Sequence, residues 1–128
     1  MRGSRGQTLV EFAIAASVFF ATIFGTIEFG LAIWQYNMMS NLAQEGARYA
    51  QVHGLNSGQS LTAAQIQTWV RSRAVGISGV NVTTVPDPPG DPGTTVTVTV
   101  SHDFTPQTTF IPNGTLTLSS TAQMIVSR

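Results

Sequence analysis

From Phe12 to Trp34 the chain reads FAIAASVFFATIFGTIEFGLAIW, an apolar run whose one charge is Glu28. A helix of that length rises roughly 34 Å, enough to cross a ~30 Å hydrocarbon core. The competing reading is a buried helix of a soluble protein, but the rest of the chain is too short to cover such a helix on every side. Beyond Tyr36 the period stays helical while the composition changes. Leu42, Ala43, Gly46, Ala47 and Ala50 recur at one-face spacing, with no proline, until Gly54 and Asn56-Ser57-Gly58 stop the pattern. One helix is therefore predicted over about 7–53, on the order of 70 Å long. Its lower half, about 12–34, is transmembrane. Its upper half carries a small-residue stripe suited to packing on something flat.

A second amphipathic helix is predicted from Leu61 to Val75, with Thr62 as its N-cap. Its apolar face is Ile66, Trp69, Val70 and Ala74, with Arg73 as a polar intruder. Trp69 reads as a core anchor. The period then changes to two. Val80, Val82 and Thr84 share one parity, as do Val96, Val98 and Val100, and then Leu116, Leu118, Ala122, Met124 and Val126. These are three half-buried strands with Val and Leu inward and Thr outward. A Pro-Gly loop from Pro86 to Gly93 separates the first two, and the stretch from Pro106 to Gly114 separates the last two. The expected fold is α+β: a long N-terminal helix, a second helix and a three-stranded antiparallel sheet, with residues 54–128 forming the head.

Charge adds a direction. Charged residues are 9% of the 128, with six of each sign and no lysine. That leaves no basic field for nucleic acid, so none is expected as a partner. Arg2 and Arg5 precede the apolar run and no basic residue follows it until Arg48. The positive-inside rule then puts the N-terminus in the cytoplasm and the head outside, with Trp34 and Tyr36 in an interfacial belt. A secretory signal peptide is the alternative, because Ala13-Ile14-Ala15 resembles a cleavage site. The stretch before it is too short for an apolar core and contains Glu11, and the apolar run continues past it.

The junction Arg5-Gly6-Gln7-Thr8-Leu9-Val10-Glu11-Phe12 resembles the type IV prepilin pattern, in which a short basic leader ends in Gly and a Glu follows five residues later. The resemblance implies cleavage between Gly6 and Gln7 by a prepilin peptidase, with residues 1–6 as the leader. A charge inside a bilayer costs about 2.5–3.5 kcal/mol on insertion scales, so Glu11 needs a partner or a reason. The new α-amine on Gln7, one helical turn away, would neutralise it, from the same subunit or a neighbouring one. The plainer reading is that Glu11 sits in the interface and reaches water. Glu28 lies roughly 9 Å inside the aromatic belt. It either faces another subunit, with Gly25 and Gly30 permitting close approach, or is partly hydrated near the outer interface.

Further along, Ile27-Glu28-Phe29-Gly30, Ala43-Gln44-Glu45-Gly46-Ala47-Arg48-Tyr49-Ala50 and Thr97-Val98-Thr99-Val100-Ser101-His102-Asp103-Phe104-Thr105-Pro106 join the N-terminal motif. Together they resemble the TadE-like family, pseudopilins or minor pilins of the tight-adherence (Flp-type) pilus system. The resemblance implies a pilin-like fold and a structural role in pilus assembly and adhesion. It also implies assembly contacts through Glu11, Phe12 and Glu28. The implied partners are other pilins or pseudopilins, the prepilin peptidase, the inner-membrane assembly platform and the lipid bilayer. The implied location is the bacterial inner membrane, single-pass, with possible entry into the fibre. Members of that family often carry a proline six residues after the Glu. Here Ser17 stands there, so no proline kink is expected. The alternative is an uncleaved, membrane-tethered binding module presenting its Pro-Gly and Phe104–Pro112 loops.

The side-chain inventory offers little chemistry. Cysteine is absent, and His53 and His102 lack ligand spacing. No phosphate loop, nucleophile elbow or zinc motif is present, so neither enzyme activity nor a cofactor is expected. Asp87 and Asp91 fall short of a calcium donor set and read as turn residues. Asn81-Val82-Thr83 and Asn113-Gly114-Thr115 match a glycosylation tripeptide that is common by chance. Glu45 and Arg48 are expected to pair across one helical turn.

Overall fold

The computed structural model of the chain describes residues 3–107 and 114–127. Arg2 and the middle of the loop after the second strand, including Asn113, lie outside the described residues. The elements run α1 (Gly3–Gln51), α2 (Ala63–Arg73), β1 (Asn81–Val85), β2 (Thr95–Phe104) and β3 (Leu116–Ile125). The fold is α+β, with a sheet in the order β1-β2-β3 and both pairings antiparallel.

The upper half of α1 is the wall on which the head is built. Met39, Leu42, Ala43, Ala47 and Ala50 are buried with Ile66 and Val70 of α2 and Val82, Val96, Val98 and Val100 of the sheet. Gly46 sets the closest approach. A Cβ there would lie 2.8 Å from Val70 Cγ2 and 3.1 Å from Val98 Cγ1, so α2 and the sheet meet across the helix at this residue. The small-residue stripe thus has its flat partner, and that partner belongs to the same chain.

Register links the ends of the molecule. Ser127 N–H donates to Gln51 O at 3.0 Å, and Val126 N–H to Thr94 O at 2.8 Å, so β2 begins and β3 ends at the top of α1. The ten residues of β2 span about 34 Å at strand rise. The helix from Glu28 to Gln51 rises about 35 Å. The sheet therefore accompanies α1 down to Glu28, and the β2–β3 connection is at that lower end. Helix α2 runs downward too: Trp69 stacks on Tyr49, Arg73 meets Glu45, and Gly76 approaches Trp34.

Local chemistry starts and ties down α2. Thr62 forms a capping box with Gln65, whose side chain accepts from Thr62 N–H at 2.9 Å. Asp87 of the Pro-Gly loop accepts from Ala63 N–H at 2.7 Å, satisfying an otherwise orphaned first-turn donor. Trp69 is only half-buried. Its ring lies parallel to Tyr49 at 4.2 Å, and the Arg73 guanidinium covers it at 4.4 Å. Trp69 thus packs against the core from its edge, partly buried, and Arg73 is exposed over it. Glu45 pairs with Arg73 of α2 at 3.5 Å, not with Arg48 as its spacing suggested. Both charges are about half exposed, so the pair is worth about 0–1 kcal/mol.

Two substitutions test this packing. Gly46→Val is expected to destabilise the head by about 1–3 kcal/mol through overpacking, read as a lower denaturation midpoint in detergent. Asp87→Ala should cost about 1 kcal/mol as a lost helix-start acceptor, with the same readout. A wild-type midpoint for Gly46→Val would mean that α1 does not approach Val70 and Val98 this closely.

Candidate functional site

The functional candidates lie on the lower half of α1, where the helix leaves its own core. No residue of its most apolar 18-residue window is buried inside the chain. Leu9, Val10, Phe12, Ile14, Val18, Phe19 and Phe20 are exposed, Phe12 at 70%. This helix is long and apolar enough to cross a membrane. A helix bare on every side and apolar on every side is stable in lipid and not in water. Three hydroxyls within it are satisfied locally. Ser17, Thr22 and Thr26 donate to the carbonyls of Ala13, Val18 and Thr22, each at 2.8 Å. In hydrocarbon this back-bonding removes the cost of an unpaired hydroxyl. No proline interrupts α1, and Ser17 sits in continuous helix.

Gly6, Gln7, Glu11 and Phe12 are all exposed on this helix, and helical structure begins at Gly3 rather than Gln7. The helix therefore runs through the Gly6–Gln7 junction. A Cβ at Gly6 would meet nothing within 4 Å, so this glycine is not required by packing within the chain.

Glu28 is in a different setting. It is 9% exposed and borders an open-sided cavity of about 500 Å³ between α1 and the underside of the head. Leu31 and Gln35 line it from the helix, Gly76–Gly79 from the α2–β1 turn, and His102–Thr105 from the end of β2. The structure brings Glu28, Gln35 and His102 to one cavity, a grouping that sequence spacing did not suggest. The Gln35 Oε1 and His102 Nδ1 atoms are buried there with no hydrogen-bond partner among the described residues, which suits a cavity that holds water. Asp103 points to the other face and accepts from Thr117 Oγ1 at 2.7 Å. Glu11 and Glu28 stay apart, about 25 Å along the same helix. His53 is at the opposite end of the head, its Nδ1 2.8 Å from Tyr49 O.

The fold and site together define an α+β protein in which one helix is both the wall of the core and a segment long and apolar enough to cross a membrane. The family model described as TadE-like protein matches residues 6–48. This is the family that the N-terminal motifs resemble, and the match takes in the bare half of α1 and most of the half under the head. No curated protein and no solved structure gives a significant match.

Proposed function

We propose that the chain is a minor pilin or pseudopilin that serves as a structural subunit in assembly of a Tad-type pilus used in adhesion. The observation that carries this reading is the uncovered apolar helix from Gly6 to Ile27, with Glu11 near its start, within the segment matching the TadE-like model. The helix is held in the inner membrane with its N-terminus cytoplasmic and its head outside. A prepilin peptidase trims the leader after Gly6. The exposed carboxylate of Glu11 then takes the new α-amine of Gln7 or that of an adjacent pilin-type subunit. Cleavage requires the first turn of α1 to unwind. Gly3 and Gly6 lower the cost of that, each about 1 kcal/mol poorer than Ala in a helix. The chain works by lateral packing and not by catalysis, and a separate ATPase supplies the energy for movement.

Mass analysis of the protein isolated from its host tests the first step. A chain starting at Gln7 is expected, and one retaining Met1 beside an active prepilin peptidase would refute processing at this site. Glu11→Val tests the second step. It should leave membrane insertion intact while sharply reducing recovery of the chain with its partner pilins. Unchanged recovery would remove any assembly role from Glu11.

A further inference from the structure

The two sides of α1 change character at different heights. On the side away from the head, Phe29 and Ile33 are exposed and apolar, and polar residues begin only at Asn37, Asn41 and Gln44. On the head side, cover begins at Glu28, where the turn after α2 and the end of β2 close over the helix. The head thus overlaps the outermost ~9 Å of the apolar stretch. If lipid reaches Ile33 on the far side, the lower edge of the head is at the same depth on the near side.

The composition of that lower edge fits this depth. Along the lowest rim, the described residues 74–79, 105–107 and 114–116 carry no charge, and the nearest acid of the head is Asp103, at the edge of the cavity above them. Val75 projects from the turn after α2 at 73% exposure, and Leu116 starts β3 at 54%. Among the described residues both side chains stand exposed. Just above this rim is the polar cavity with Glu28, Gln35 and His102.

We propose that the underside of the head is a membrane-interface surface seated in the phospholipid headgroup layer, with Val75 and Leu116 as its apolar contacts. The cavity above it is then a hydrated recess that keeps the Glu28 carboxylate out of hydrocarbon at a depth where an uncovered acid would cost about 2.5–3.5 kcal/mol. Trp34 marks the same layer from the helix side, and the partner is the lipid headgroup itself. This inference rests on the anchoring role of α1 proposed above.

The chain has no native cysteine, so single cysteines carry a fluorophore at one place. Val75→Cys reports the underside, Asn56→Cys the far end of the head and Gly25→Cys the anchor. All three positions are exposed, and a Cβ at Gly25 meets nothing within 4 Å. Each labelled full-length chain is placed in phosphatidylethanolamine and phosphatidylglycerol vesicles with nitroxide lipids, labelled either at the headgroup or deep in the acyl chain. The expected result is loss of emission at Val75 with the headgroup nitroxide, loss at Gly25 with the deep nitroxide, and none at Asn56. Loss at Gly25 with Val75 as bright as Asn56 would overturn the inference and leave the anchor standing. No loss at Gly25 would overturn the anchor and the inference with it.

Discussion

Everything in this molecule depends on one helix satisfying two solvents. The lower half of α1 is apolar all round, as a helix crossing lipid has to be, and the upper half buries one stripe while wetting the rest. The transition takes place without a break in hydrogen bonding, over a continuous 49-residue helix. The upper stripe uses Ala43, Gly46, Ala47 and Ala50 in place of bulky side chains, which lets α2 and the sheet come in close together. A small head of this kind has little core of its own. The helix it packs on supplies much of what it buries.

Much of the fold was legible because the chain switches cleanly between periods. The period-two parity of Val80, Val82, Thr84, Val96, Val98 and Val100 matches the buried positions of β1 and β2 and the turn before them. The N-cap at Thr62 was readable because a cap is local chemistry. What was not legible is tertiary. The reach of Arg73 to Glu45 and the parallel stacking of Trp69 on Tyr49 depend on two helices lying side by side. Helical spacing alone could not prefer Arg73 over Arg48 as the partner of Glu45. In β3 parity placed Leu116 inward, yet it is exposed, because the strand there extends past the end of the core.

The candidate site divides in the same way. The N-terminal motif, being contiguous, was read directly from the residues, and the helix places Gly6, Gln7, Glu11 and Phe12 in the open. From sequence the helix begins at about residue 7, because residues 1–6 resemble a leader, and the described helix in the full chain already includes Gly3. For Glu28 the sequence left two settings open, another subunit or partial hydration. Besides Leu31 and Gln35 of its own helix, the residues that share its cavity stand 48–79 positions further along the chain, and no local pattern announces them. The one hint was the long β2 strand, whose length equals the rise of α1 from Glu28 to Gln51.

The unbroken helix has a mechanical consequence. Ser17 stands where a proline would bend the rod, and its hydroxyl folds back onto Ala13. Without a hinge, α1 is a rod some 70 Å long, and where it is anchored in a bilayer as proposed, the bilayer is its fulcrum. With no proline hinge, a sideways pull on the head of an anchored chain is taken up by gentle curvature of the rod and tilt of its lower segment. A tug along the axis would pass down the same unbroken helix to its anchored end.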